Sequence, residues 1–102
     1  MSKEEALRRI KEAAETGATE LNLDFQKLTE LPLELFQLTN LTCLALVHNH
    51  LTSLPPEIVQ LTNLRELWLY GNPLTSPPIE IAYKGIKAIR EYFAAAKEGT
   101  KE

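Results

Sequence analysis

The sequence predicts an α/β repeat fold: a short solenoid with a small parallel sheet, closed by a helix at each end. Three observations predict it. A leucine pattern returns at a fixed offset, since Leu41-Thr42-Cys43-Leu44-Ala45-Leu46 aligns with Leu64-Arg65-Glu66-Leu67-Trp68-Leu69 (64 − 41 = 23 residues). An amide side chain stands at one position of every return: Gln26, Asn49 and Asn72. The repeats are flanked by two segments whose apolar residues have helical spacing.

The first element is a helix over 2–16. Ser2 with Glu5 three residues on reads as a capping box. Ala6, Leu7, Ile10, Ala13 and Ala14 form an apolar stripe. Glu4 with Arg8 and Glu5 with Arg9 are i,i+4 pairs on the outer face. Gly17 is placed to end the helix in a left-handed conformation.

Three repeat units follow, over 18–40, 41–63 and 64–82. Leu21 and Leu23, Leu44 and Leu46, and Leu67 and Leu69 alternate with variable residues, as in a short strand with one buried face. The amide position that comes next can donate and accept, so it suits a turn where backbone groups leave the sheet. Leu28, Leu51 and Leu74 point back inward, and Pro32, Pro55 and Pro56 block a regular helix. Leu35, Leu38, Ile58 and Leu61 close the convex side. No unit buries its leucines alone, and stacking makes one core.

The last element is a helix over 83–98, with Ile86, Ile89, Tyr92, Phe93 and Ala96 on its apolar face. Ile81 and Ala82 extend that face unless Gly85 breaks it. Gly99 is the stop signal. The whole of 1–102 therefore reads as a single domain.

Composition bounds the function. With 102 residues, 44% apolar and 25% charged, the chain suits one soluble globular unit. A net charge of −3 argues against nucleic acid and gives an anionic membrane no hold. No apolar run approaches the roughly 20 residues of a membrane span, and the N-terminus has no secretory apolar region. Cys43 is the single cysteine, so no internal disulfide forms and the expected compartment is the cytoplasm.

The repeat residues resemble leucine-rich repeats, whose pattern is L-x-x-L-x-L-x-x-N-x-L. Leu41, Leu44, Leu46, Asn49 and Leu51 fill every fixed position of the middle unit. The continuation Leu54-Pro55-Pro56-Glu57-Ile58 resembles the bacterial 23-residue subtype of Roco proteins and related cyanobacterial leucine-rich-repeat proteins. The stretch from Asn72 to Tyr92 resembles the segment that ends Roco arrays. The resemblance implies a horseshoe segment with its sheet on the concave side, used to bind proteins. A GTPase domain follows in Roco proteins, but this chain holds no phosphate-binding G-x-x-x-x-G-K-[ST] loop. Gln26 departs from the expected Asn, which suggests a first unit adjusted to meet a helix. Pro77 departs from the expected Leu, which suggests that the array ends there.

The residues between the strand leucines face the concave surface. They are Glu20, Asn22 and Asp24, then Cys43, Ala45 and Val47, then Glu66, Trp68 and Tyr70. Ala45, Val47, Trp68 and Tyr70 form an apolar, aromatic patch, and Trp and Tyr are favoured at binding hot spots. The expected partner-binding residues are therefore Cys43, Ala45, Val47, Glu66, Trp68 and Tyr70, with Asn22 and Asp24 as a polar edge. A rival reading has Trp68 and Tyr70 packing under the C-terminal helix. The predicted function is a non-enzymatic protein-interaction module. The alternative is a minimal or engineered scaffold that self-associates, as a homodimer, through the same patch.

Other chemistry is set aside. His48 and His50 invite a metal reading, but Cys43 is too distant to join them, so both read as solvated turn residues. Cys43 has no base beside it, and Glu20 and Glu66 on its flanks hold it as a thiol. The carboxylates Glu20, Asp24 and Glu66 lie on a flat wet surface without a pocket to make one an acid. No catalytic residue, metal or cofactor is expected.

Overall fold

The computed structural model describes residues 2–99, except for the side chains of Ser2 and of residues 97–99. In chain order the elements are α1 (Ser2–Thr16), β1 (Glu20–Asn22), a 3-10 helix (Leu33–Gln37), β2 (Cys43–Ala45), a second 3-10 helix (Pro56–Gln60), β3 (Glu66–Trp68), α2 (Ile79–Ala82) and α3 (Ile86–Gly99). The three strands form one parallel sheet in the order β1-β2-β3.

The sequence offset and the sheet register are the same number. Glu20 pairs with Cys43 and Cys43 with Glu66, and each step is 23 residues (43 − 20 and 66 − 43). The ladder runs beyond the three-residue strands. Thr42 N–H donates to Thr19 C=O at 2.7 Å, and Phe25 N–H to Val47 C=O at 3.0 Å. Arg65 N–H donates to Thr42 C=O at 2.8 Å, and His48 N–H to Tyr70 C=O at 2.8 Å. The inward leucines Leu23, Leu44, Leu46, Leu51 and Leu69 are buried and merge into one core.

Asn49 explains how the chain leaves each strand. Its Oδ1 accepts from Gln26 N–H (3.0 Å) and Leu28 N–H (3.1 Å) of the preceding unit. Its Nδ2 donates to Leu23 C=O and Leu46 C=O, both at 3.0 Å. Asn72 repeats the pattern one unit on, accepting from Leu51 N–H and donating to Leu46 C=O and Leu69 C=O. A buried backbone group without a partner costs about 1–3 kcal/mol, so each amide stabilises the turn by the bonds it closes. Gln26 differs. It is half-exposed and donates locally to Asp24 C=O at 3.2 Å.

After the turn, Pro32 and Pro55 hold extended backbone immediately before the two 3-10 helices. Each proline cannot continue a helix from the residues before it, so each helical turn starts at or after it. Leu35, Phe36 and Ile58 are buried by these turns. Pro77 occupies the repeat position of Leu31 and Leu54 and is itself buried, so it fills the leucine slot.

α1 packs against β1 and the first 3-10 helix. Its buried line is Ala6, Ile10 and Ala13. Ala14, predicted in the apolar stripe, is exposed, and Leu7 is half-buried. Steps of four and three residues keep 6, 10 and 13 on one line, and 7 and 14 fall to its rim. Gly17 has φ +66, and Ala18 N–H returns to Ala13 C=O at 3.0 Å, closing the helix C-terminus. Both arginines of the outer face converge on Glu5: Arg8 at 2.6 Å and Arg9 at 2.8 Å. The Ser2 side chain of the expected capping box lies outside the described residues.

At the other end the predicted helix over 83–98 starts later, at Ile86, and Ile81 and Ala82 belong to the separate turn α2. Gly85 is the reason: its φ of +108 breaks the helical path. Ile86 and Ile89 are buried, Tyr92 and Phe93 are half-buried, and Ala96 is exposed, against expectation. Gly99, read as a stop signal, is the last described residue. Arg90 reaches back and donates to Leu61 C=O (3.0 Å) and Leu64 C=O (3.2 Å).

Among the described residues, no helix is long and apolar enough to cross a membrane.

Candidate functional site

The strand residues that alternate with the leucines share the outer face of the sheet. Register puts Glu20, Cys43 and Glu66 in one row and Asn22, Ala45 and Trp68 in the next. The ladder beyond the strands adds a third row of Asp24, Val47 and Tyr70.

The row members differ in what they offer. Trp68 is 42% exposed and Tyr70 49% exposed. Their rings lie 6.2 Å apart in a stacked arrangement. Cys43, Ala45 and Val47 are half-buried and make a low floor beside them. Asn22 and Asp24 are committed to the turn. Asn22 Oδ1 accepts Asp24 N–H at 2.8 Å, and Asp24 Oδ1 accepts Val47 N–H at 2.7 Å. Their side chains shape this border of the face.

Tyr83 belongs to the patch and was not legible in the repeat pattern. It lies in the turn between α2 and α3, is 46% exposed, and tilts against Tyr70 with ring centroids 4.8 Å apart. Tyr70 therefore touches the C-terminal segment on one side and the sheet aromatic on the other. Trp68 and Tyr70 stay half in solvent and are not enclosed under α3. Trp68, Tyr70 and Tyr83 also border a hollow of about 170 Å³ between β3 and the Ala82–Gly85 turn.

The Cys43 thiol is pushed up from its ordinary range. Burial is the largest cause, followed by the hydrogen bond and negative charge of Glu66, with Glu20 adding to it and Trp68 opposing. A protonated thiol is a weak nucleophile.

His48 and His50 are exposed, with His48 in a turn as expected, and the His48 ring has neighbours. It stacks on Phe25 at 4.9 Å. It also lies over Gly71, where a Cβ would come within 2.3 Å of Nδ1. Phe25, His48 and Gly71 occupy the same position in successive units, and all three have positive φ, at 59°, 56° and 80°. The turn after each strand needs a left-handed residue, and here a side chain, a ring and a gap follow in order. Among the described residues no group of three or more His, Cys, Asp or Glu could hold a metal.

Parallel strands of three residues, a buried Asn ladder and proline-led 3-10 turns recur in one 23-residue register. Residues 39–79 match the family model of leucine-rich repeats, in two copies. The match runs through β2, the second 3-10 helix and β3 to the first residue of α2. The matched residues include Trp68 and Tyr70. No curated protein matches the chain.

Proposed function

We propose that the chain is a short leucine-rich-repeat solenoid, closed at its ends by α1 and α3, that works as a non-enzymatic protein-interaction module. Its binding surface is the concave sheet face. The observation that carries this reading is the contiguous half-exposed cluster of Trp68, Tyr70 and Tyr83 beside the low floor of Ala45 and Val47. Aromatic side chains bury large area at small entropic cost, and a clustered exposed patch marks a binding site more strongly than scattered apolar residues do. Leucine-rich repeats generally mediate protein–protein interaction, which supports the same assignment. Cys43 and Glu66 extend the surface at one end, and Asn22 and Asp24 border it. Its partner is a protein, with neither nucleic acid nor membrane in view.

The 23-residue unit and the Asn72–Tyr92 segment support the bacterial subtype found in Roco-type proteins. The single cysteine, held as a thiol, suits a reducing compartment such as the cytoplasm. Self-association is the second reading, because the aromatics sit on the last strand, where a second copy can approach.

The test is affinity capture of partners with wild type and with a Trp68→Ala/Tyr70→Ala variant, after circular dichroism shows equal folding. Partners retained by wild type and lost by the variant support the concave face. Equal retention sinks it. Light scattering after size exclusion separates the second reading: a dimer that Trp68→Glu dissociates assigns the patch to a second copy.

A further inference from the structure

We propose that the hollow beside β3 receives a lysine or arginine side chain from an extended partner segment, whose backbone pairs with the open outer edge of β3. The inference rests on the concave-face reading and names the chemistry of its partner.

The edge comes first. Glu66 N–H, Trp68 C=O and Tyr70 C=O all bond to β2 and its extension. Leu67, between them in a parallel strand, turns its N–H and C=O the other way. Among the described residues β3 is the outer strand of the sheet, so no further strand meets that N–H and C=O. The neighbouring carbonyl on the same side, Leu69 C=O, is taken by Asn72 Nδ2 at 3.0 Å. A strand edge with open donors and acceptors is matched by another extended backbone. The Ala82–Gly85 turn stands across the hollow, whose space of about 170 Å³ suits one side chain, with the backbone that carries it lying along the strand edge.

The walls select the side chain. Trp68, Tyr70 and Tyr83 present aromatic surface around one side of the hollow, and a cation is attracted to such faces. Glu66 lines the same space. The nine outward positions of the three rows hold three carboxylates, Glu20, Asp24 and Glu66, and no basic residue. Arg65, the residue before β3, is exposed and also borders the hollow. Three aromatic faces with the Glu66 carboxylate beside them fit a basic residue better than an acidic one.

Trp68 is the only tryptophan, so its fluorescence reports the site. The probe is the capped pentapeptide Thr-Val-Arg-Val-Thr, titrated against the full chain. The controls are the same peptide with neutral citrulline for arginine, and two versions N-methylated on alternate residues, one in each phase. The expected result is a saturable change, binding of the arginine peptide roughly ten-fold tighter than the citrulline peptide, and loss of binding with one of the two N-methylated phases. Glu66→Gln, an exposed substitution, narrows the arginine preference. No saturable change, equal binding of arginine and citrulline peptides, or indifference to both N-methylated phases overturns the proposal. If the capture experiment shows Trp68-dependent partners while the peptides fail, the slot is wrong and the concave-face reading stands. If capture is also Trp68-independent, both fall.

Discussion

The two outer edges of the sheet are closed differently. α1 lies directly on β1, and its contact line is mostly alanine, Ala6 and Ala13 around Ile10, so the helix comes close. Arg9 Nη1 then donates to Asn22 C=O at 3.0 Å, meeting an edge carbonyl of β1. At the other edge α3 packs on α2, and the turn between them stands off from β3. Its guanidinium, Arg90, goes to the joint carbonyls of Leu61 and Leu64 and leaves the strand open. An array end has two needs, covering the core and satisfying the edge. At the β1 edge an arginine meets one outward carbonyl, Asn22 C=O, whereas at the β3 edge Asn72 meets Leu69 C=O and Leu67 is left open.

The largest expected effect tests the covering. Ile89 is fully buried, and Ile89→Ala should lower the unfolding free energy by about 3 kcal/mol in a urea titration. A loss below about 1 kcal/mol would mean that α3 contributes little to the core, and the contrast between the ends would collapse. Next is Arg90→Met, which keeps the stem and removes the donors. Two carbonyls lose their partner, so a loss of about 1–2 kcal/mol is expected, against about 0.5 kcal/mol for Arg9→Met at the exposed edge. Equal losses would erase the distinction drawn between the two guanidinium groups. Gly17→Ala, at φ +66, should cost about 1 kcal/mol by strain at the end of α1.

Two finer measurements address the edge and the outer face. The Leu67 N–H should exchange with solvent well ahead of the Leu44 N–H, which sits on the central strand. Similar protection at both would show that β3 is sealed. The smallest effect is electrostatic. Arg8 and then Arg9, by hydrogen bonding, hold the Glu5 carboxyl at about 2 against an ordinary 4.5. The folded value is the lower one, so folding favours the ionised form. That contribution is present above pH 4.5 and is lost as pH falls toward 2. A slight acid-side loss of stability that Glu5→Gln removes is the expected readout.

Much of this contrast was legible before any coordinate. The 23-residue offset placed all three strands and paired them, because a stacked repeat has one register and the leucines mark it. Asn49 and Asn72 were readable as turn amides, since a buried amide at a recurring position has few other uses. Gln26 shows the limit: one added methylene and a place in the first unit leave its amide half-exposed and bonded only nearby. Tyr83 was hidden because it stands in a connecting turn, outside any period, and meets Tyr70 only after Gly85 redirects the chain. The His48 ring was hidden for a related reason. Its stacking on Phe25 depends on backbone angles that no apolar pattern encodes. Phe36 is buried while its counterpart in the next unit, Val59, is 37% exposed, so the repeat pattern alone does not mark the position as core.

Arg90 has one more consequence. Within the array, each joint is bonded to its neighbour, as when Asn63 Nδ2 donates to Thr39 C=O at 2.8 Å. Arg90 makes similar bonds one unit on, to Leu61 C=O and Leu64 C=O. Duplicating 41–63 in tandem should give a longer protein with one more strand and an unchanged finish.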